Sequence, residues 1–172
     1  MDNISEQIVS KSRTNSDRLK AVLIILGMAV VSAVLLFLSF ITGFLVLVLI
    51  AGAAVVCGIY LLTGLDIEYE YIITNNEMDI DKIIGRRKRK RMITVDLSVA
   101  EEFCGYPTEN EQKADVTVYA TTGLEKDAHY LLVTHKDYGK VGVIFNPDQR
   151  TREALLREFP NTLRARLNEN VK

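Results

Sequence analysis

The sequence predicts an α+β protein in which an N-terminal transmembrane helical hairpin precedes an antiparallel β barrel or sheet with a C-terminal helix. Three observations lead to this prediction. Residues 21–65 contain no Asp, Glu, Lys, Arg or His. After this run, short segments alternate apolar and polar residues with the period of two that is typical of half-buried strands. Near the end of the chain, residues 146–159 change to the spacing of an amphipathic helix.

The uncharged run is long enough for two membrane spans. A bilayer core of about 30 Å takes about 20 helical residues, each of which rises about 1.5 Å. The 45 residues of the run are roughly twice that number, and tilting a single helix cannot absorb so large a mismatch. We therefore predict spans at 21–40 and 44–63, with Gly43 supplying backbone freedom at the turn. A cleaved signal peptide is disfavoured, because its apolar core has only about 7–15 residues.

Charge around the spans predicts their orientation. Lys and Arg near the ends of membrane spans favour the cytoplasmic side. The leader, residues 1–20, carries four of them and the turn carries none, while the basic run 86–91 follows the second span. We therefore expect a two-span protein of the cell membrane with both termini in the cytoplasm. The spans contain no ionisable residue, which argues against transport by this chain alone.

Small residues in the second span predict how the helices pack. Gly52, Ala54 and Gly58 permit close approach of a neighbouring helix. We expect them to pack the hairpin against itself, and a homo-oligomer formed through the hairpin is the alternative.

The cytoplasmic leader is polar with a few apolar residues. Ile4, Ile8 and Val9 could form one stripe of a short amphipathic helix, and a frayed tail is the alternative for residues 1–10. Residues 15–17, Asn-Ser-Asp, predict an N-cap for the first span.

Residues 66–160 predict one cytoplasmic domain. Asn75-Asn76 and Gly85-Arg86 are turn signals, and such short connections make neighbouring strands antiparallel. Alternating apolar and polar residues predict strands at 66–74, 78–84 and 88–95, and three more strands are predicted at 116–121, 129–135 and 141–145.

Two helical pieces complete this domain. Residues 96–103 predict a single helical turn between strands. Asn146 as N-cap and Pro147 at the first helical position predict the start of a closing helix, which Pro160 ends. The last residues, 161–172, are predicted to be a tail in which a further short helical piece could dock.

The order of these elements resembles a pleckstrin-homology-like (PH-like) barrel, and most closely the bacterial PH-like domains attached to membrane spans. The resemblance is carried by three segments, YEYIITNNEMDIDK, RKRMITVDLSVAEEF and VGVIFNPDQRTREALLREF. The whole chain also resembles a family of small two-span proteins of Gram-positive bacteria that has no assigned function. A full PH barrel has seven strands, so the resemblance implies a seventh, hidden in 104–115 or absent. PH-like domains serve lipid, peptide and scaffold roles alike, so the resemblance implies a fold more than a mechanism.

The most prominent polar feature is a run of six basic residues. Near an anionic leaflet each Lys or Arg contributes about 1 kcal/mol to membrane attraction, and lipid-binding PH domains, by resemblance, hold head groups with basic residues near early strand turns. The candidate contacts to anionic lipid or a protein partner are Arg86, Arg87, Lys88, Arg89, Lys90 and Arg91.

Internal ion pairing is the competing interpretation of this run. A turn centred on Gly85-Arg86 would place Lys90 opposite Asp81, with Glu70 one strand further, and such cross-strand pairs contribute about 0.2–1 kcal/mol. Nucleic-acid binding is disfavoured, because the chain has a net charge of −1 and nucleic-acid binding needs a strongly basic face.

No catalytic or metal-binding pattern is visible in the sequence. His129 and His135 lie six residues apart on one predicted strand, about 20 Å at about 3.3 Å per residue, which is too far for one metal ion. Asp79 and Asp81 share one face of a predicted strand, and we expect them to form an ordinary solvated edge rather than a general acid–base pair. Cys57 lies in a span, so the two cysteines should not form a disulfide, and they lack zinc-site spacing. We therefore predict no catalytic residue, metal or cofactor.

These observations favour a non-enzymatic, membrane-anchored interaction or scaffold module at the cytoplasmic face of the cell membrane. Its expected partners are membrane lipids and an unknown protein, with no nucleic acid. The alternatives are an anionic-lipid sensor that uses residues 86–91, and an accessory subunit of a transporter or envelope enzyme that is contacted through the hairpin.

Overall fold

The computed structural model describes residues 4–107, 109–123 and 127–169. The chain divides into two compact units. We call them the membrane unit, Arg13–Ile67 with Ile84–Arg86, and the β-rich unit, Met1–Ser12 with Glu68–Ile83 and Arg87–Lys172.

Two long apolar helices form the membrane unit: α1 (Asn15–Thr42) and α2 (Val46–Thr63). Only 6% and 11% of their most apolar windows are buried inside the structure, so these helices are not the buried core of a soluble domain. Both are long and apolar enough to cross a membrane. The two predicted helices are therefore confirmed.

The helix ends differ in one respect from the prediction. The N-cap of α1 is Thr14 rather than residues 15–17, because Thr14 and Asp17 form a reciprocal capping box. The left-handed conformation at Gly43, with φ of 73°, ends α1, and the Gly43 N–H donates to the Ser39 carbonyl. This confirms Gly43 as the turn residue.

The two helices pack through small residues. Ala51 and Gly58 of α2 are buried, and a Cβ at Gly58 would lie 2.5 Å from Met28 Sδ of α1. A Cβ at Gly52, in contrast, would meet nothing within 4 Å among the described residues. Packing of the hairpin against itself therefore uses Gly58 but not Gly52.

The first sheet of the β-rich unit has the order β1-β2-β3-β4. Its strands are β1 (Ile4–Ser10), β2 (Ile67–Thr74), β3 (Glu77–Ile84) and β4 (Lys88–Asp96). Two consecutive residues with positive φ join β2 to β3, at Asn75 and Asn76, and β3 to β4, at Gly85 and Arg86. Positive φ at both central residues is typical of the two-residue turn between β2 and β3, whereas three residues, 85–87, join β3 to β4. The order of the strands confirms the predicted meander.

The expected helix or frayed tail at residues 4–10 is wrong, because these residues form β1. β1 pairs antiparallel with β2 from Ile4 opposite Thr74 to Ser10 opposite Glu68. The partner strand lies beyond both long helices in the sequence, so local periodicity in the leader could not reveal it. Both membrane helices are thus inserted between two neighbouring strands of one sheet.

The second sheet has the order β5-β7-β8-β6. Its strands are β5 (Ala100–Gly105), β6 (Val116–Ala120), β7 (His129–His135) and β8 (Gly139–Phe145). β7 is antiparallel to β5 and β8, whereas β6 is parallel to β8. The described residues therefore form two four-stranded sheets rather than a closed antiparallel barrel.

Strand β5 was not predicted. The helical turn expected at 96–103 is a short 3₁₀ turn, Leu97–Val99, in which Asp96 accepts from the Ser98 N–H. The chain then extends to pair with β7. Of the two alternatives for a seventh strand, a strand hidden in 104–115 is matched only by the last two residues of β5, Cys104 and Gly105, and a 3₁₀ segment follows at Glu109–Lys113.

Two C-terminal helices follow, α3 (Gln149–Glu158) and α4 (Asn161–Glu169), and Pro160 separates them. The N-cap of α3 is Asp148, whose Oδ1 accepts from the Thr151 N–H at 2.7 Å. The predicted cap at Asn146 is therefore wrong. Helix α4 confirms the short helical piece, and its Leu163 is buried.

An aromatic cluster joins the sheets to α3. Tyr71 of β2 meets Phe145 of β8 edge-on, with ring centroids 5.4 Å apart. Phe103 of β5 lies 5.3 Å from Phe159 at the end of α3. Full burial of one such side chain contributes roughly 1.5–3 kcal/mol, so this cluster ties both sheets and the helix into one core.

Candidate functional site

The predicted contact run begins in the turn between β3 and β4. Gly85 and Arg86 have φ of 59° and 56°, and such a conformation is uncommon for a residue other than glycine. Within the membrane unit, the Gly85 N–H donates to the Asp66 carbonyl at 2.7 Å, three residues after α2 ends. Arg13 Nη2 lies 2.6 Å from Asp66 Oδ1. Arg86 thus belongs to the unit that contains both membrane helices.

Arg89 pairs with a buried carboxylate. Its Nη2 lies 2.8 Å from Oε1 of Glu70, whose side chain has 0% exposure. The second oxygen, Oε2, is buried without a hydrogen-bond partner among the described residues. Burial raises the pKa of Glu70, the neighbouring Glu6 carboxyl raises it further, and Arg89 opposes the shift. A buried carboxylate with one cationic partner is costly to leave unpaired, so Arg89 has a structural role.

Arg91 binds two carboxylates of β3. Its Nη1 lies 2.6 Å from Asp79 Oδ1, and its Nε donates to Asp81, whose side chain is only 4% exposed. Asp79 also accepts from Thr94 Oγ1 at 2.5 Å. The hydrogen bond to Asp81 is the main cause that raises the pKa of Arg91. The solvated edge expected at Asp79 and Asp81 is therefore wrong for Asp81, which is buried in an ion pair.

The basic run thus splits into two groups. Arg89 and Arg91 are paired within the β-rich unit, so internal pairing holds for them, although the predicted pair of Lys90 with Asp81 is replaced by Arg91 with Asp81. Lys88 and Lys90 are exposed and have no ion-pair partner among the described residues. All six side chains of the run are exposed, and contact of the run with lipid or a partner remains a prediction.

A polar junction between the sheets was missed by the sequence analysis. Asn146 Oδ1 accepts from Thr121 Oγ1 at 2.6 Å and from the Thr122 N–H at 2.9 Å. Its carbonyl accepts from Gln7 Nε2 of β1 at 2.9 Å, and its N–H donates to the Tyr71 hydroxyl at 3.3 Å. Asn146 therefore links the ends of β6 and β8 to β1 and β2. An N-cap motif in the sequence cannot show such long-range bonds.

The two histidines lie at opposite ends of β7, as predicted. His129 is opposite Phe145 and His135 is opposite Gly139 in the β7–β8 register. In the described part of the chain, no group of three or more His, Cys, Asp or Glu side chains could hold a metal ion.

The described chain thus consists of two apolar helices inserted after the first strand, two small sheets and C-terminal helices. The model of the bacterial PH-like domain family DUF6106 matches residues 1–165. The chain belongs to this family. The match includes the helices as well as the sheets, which confirms the resemblance over nearly the whole chain. Comparison with curated proteins and with solved structures gives no match.

Proposed function

We propose that the chain is a non-enzymatic interaction module that holds a PH-like domain at the cytoplasmic face of the cell membrane. The pairing of β1 with β2 carries this proposal. Because α1 and α2 are inserted between these strands, the domain is attached to the spans through both ends of the hairpin. The connections, residues 11–14 and 64–66, are short. Such a double attachment suits a module that presents one surface to a partner.

The proposed orientation places both termini in the cytoplasm. It is supported by the four basic residues of the leader and the absence of charge in the turn at 43–45. A reporter that is active only in the cytoplasm, fused after Lys172, should be active. An active external reporter at the same position would overturn the orientation.

The partner is proposed to be a protein that contacts the β-rich unit. PH-like domains are generally non-catalytic binding modules, and a fold alone does not select the ligand. The test is cross-linked capture with the full chain and with a chain whose residues 15–63 are replaced by an unrelated two-span hairpin. Recovery of the same protein by both chains supports contact through the domain. Recovery by the natural hairpin alone would favour the accessory-subunit alternative, or a homo-oligomer if the recovered protein is a second copy.

Anionic lipid contact is the second candidate function. The observation that favours it is the 2.7 Å bond from the Gly85 N–H to the Asp66 carbonyl, which fixes the tip of the β3–β4 hairpin in the same unit as the ends of α1 and α2. A basic residue near an anionic surface contributes about 1 kcal/mol. Arg86 is therefore the residue best placed for such a contact, and the following basic residues would add to it.

This candidate can be tested in nanodiscs that contain a photoactivatable anionic lipid. Replacing Arg86, Lys88 and Lys90 with Gln should reduce cross-linking severalfold, since about 1 kcal/mol per charge is lost. A control variant with Gln at Lys136, Arg150 and Arg157 carries the same net charge and should cross-link like the natural chain. Equal cross-linking of all three proteins would contradict anionic lipid contact through the basic run and would leave the interaction-module proposal unaffected.

A further inference from the structure

A cavity of about 300 Å³ lies in the β-rich unit between β5 and the C-terminal helices. Its apolar wall comes from three elements: Phe103 of β5, Leu156 of α3 and Leu167 of α4. A second cavity of about 490 Å³ along α3 shares His129, Arg152 and Leu156 with the first. The two cavities therefore form one groove, and the first is at the lower size limit of ligand pockets, about 300 Å³.

Arg152 is the single charged residue that lines the first cavity. Its side chain is exposed and has no ion-pair or hydrogen-bond partner among the described residues. The second cavity adds Asp148 and Glu153. Asp148 caps α3, and Glu153 Oε1 accepts from Gln149 Nε2 at 3.1 Å. The first cavity therefore combines an apolar wall with the positive charge of Arg152, whereas the second cavity also carries two carboxylates. An anionic group would be attracted to Arg152 and repelled by Asp148 and Glu153.

His129 lines the same cavity as Arg152 and contributes a polar ring nitrogen but no second positive charge. Its ring stacks on Phe103 with a centroid distance of 5.2 Å and an interplanar angle of 19°. Nδ1 lies 3.3 Å from the Asp127 carbonyl oxygen, which can only accept, so Nδ1 carries the proton and Nε2 is left as an acceptor. Burial lowers the pKa of His129, and Arg152 lowers it further, so the imidazole is neutral at neutral pH.

The edge of β5 is partly covered next to this groove. Arg166 Nη2 of α4 donates to the Glu101 carbonyl of β5 at 3.3 Å. A helix that occupies an edge strand hinders the addition of a further strand there. The geometry therefore favours a small molecule over an extended peptide.

We propose that this cavity binds a small monocarboxylate with an apolar body. The carboxylate accepts charge-assisted hydrogen bonds from the Arg152 guanidinium, and the apolar body lies against Phe103, Leu156 and Leu167. This inference is independent of the proposed interaction with a protein partner.

The test uses Cys104, which lines the same cavity. The full chain with Cys57→Ala is placed in nanodiscs, and alkylation of Cys104 by a membrane-impermeant maleimide is followed by mass spectrometry. The probe is phenylacetate, and its matched neutral and cationic controls are phenylacetamide and phenethylamine. Phenylacetate at about twice its dissociation constant should slow alkylation about threefold, and the two controls should not.

Variants locate the effect at Arg152. Arg152→Gln should abolish protection by phenylacetate, whereas Arg150→Gln, on the same helix but outside this cavity, should retain it. Arg152→Lys keeps the charge and should restore part of the protection if Arg152→Gln disturbs folding. Absence of protection in the parent chain, equal protection by all three compounds, or protection that survives Arg152→Gln would overturn the proposal.

Discussion

Glu70 shows how one buried carboxylate can couple this domain to pH. It lies on β2 opposite Ile8 of β1, so Glu6 is its diagonal neighbour on the same face of the sheet. Burial and this second carboxyl raise its pKa above the ordinary value of 4.5, although Arg89 opposes the shift. The stability that this group contributes is therefore present in full below about pH 4.5 and is lost as the pH rises through the raised pKa.

We accordingly expect Glu70→Gln to remove part of the pH dependence of stability. In the natural chain the unfolding temperature should fall as the pH rises from about 4.5 through the raised pKa. The variant should be flatter over this range, because glutamine does not ionise. The exposed Glu77→Gln is the control and should keep the natural slope. Thermal unfolding in detergent at a series of pH values measures this, and parallel curves for the natural chain and Glu70→Gln would contradict it.

Neighbouring basic residues should differ sharply in their effect on stability. Arg91→Gln leaves the buried Asp81 without its cation, which should lower the free energy of unfolding by about 1–2 kcal/mol, since Arg91 itself is half exposed. Lys90→Gln should change it by less than about 0.5 kcal/mol, as is usual at exposed positions. Denaturant unfolding of both variants provides the measurement. Equal losses of unfolding free energy in the two variants would show that the ion pairs of Arg91 do not stabilise the domain.

Residue-level prediction from the sequence succeeded where the partners are close in the chain. The turn at Gly85-Arg86 and the opposition of β3 and β4 were predicted, so some internal pairing of the basic run was expected. The pairing partner was predicted wrongly, because Arg91 rather than Lys90 pairs with Asp81. The bonds of Asn146 to Gln7 and Thr121 depend on tertiary contacts that no local pattern carries.

The start of α3 offers a test at the level of one element. Asp148→Ala removes the N-cap and should cost about 1 kcal/mol of stability, as other N-cap losses do. Asn146→Ala removes the acceptor of the half-buried Thr121 hydroxyl and Thr122 N–H, and a donor left unsatisfied by burial costs about 1–3 kcal/mol. Asn146→Ala should therefore be the more damaging variant in thermal unfolding. The opposite order would contradict the role of Asn146 as the acceptor that links the two sheets.

The membrane hairpin can be tested with two glycines of α2. Gly58→Val would press against Met28, since even a Cβ lies 2.5 Å from its sulfur, and overpacking of this kind costs about 1–3 kcal/mol. Gly52→Val meets open space and should leave the α1–α2 contact intact. Cysteine cross-linking between the helices measures that contact. If Gly52→Val is the variant that disrupts assembly, the second span packs against another copy instead.

Elements with strong local periodicity were predicted correctly, and those defined by distant partners were not. β2 and β3 alternate apolar and polar residues, β7 and β8 contain short apolar runs, and α1 and α2 follow from composition alone. The local sequence of β1 fits a short amphipathic helix and a frayed tail equally well, and its partner β2 lies after the two membrane helices. β5 begins directly after a capped 3₁₀ turn, so the helical signal of Asp96 and Ser98 masked the strand.

At the scale of the whole molecule, the defining feature is the insertion of the membrane hairpin into the first sheet. The chain makes one strand, passes through both apolar helices and then makes the neighbouring strand. The two strands flanking the hairpin are held together by backbone hydrogen bonds along seven residue pairs. The domain and the spans are therefore linked at two points of the chain, and residues 4–10 of the leader are a strand of the domain rather than a separate tail.

Site-directed disulfide formation between β1 and β2 tests this central claim most directly. In a chain with Cys57 and Cys104 replaced by Ser, cysteines at the opposing positions Glu6 and Ile72 should cross-link rapidly when isolated membranes are oxidised, because paired strand positions lie within disulfide reach, about 4.5–5.5 Å between Cα atoms. Cysteines at Glu6 and Glu68 differ by four register positions and should not cross-link. If the first pair fails to cross-link, or if both pairs cross-link equally, β1 does not pair with β2 in this register and the account is contradicted.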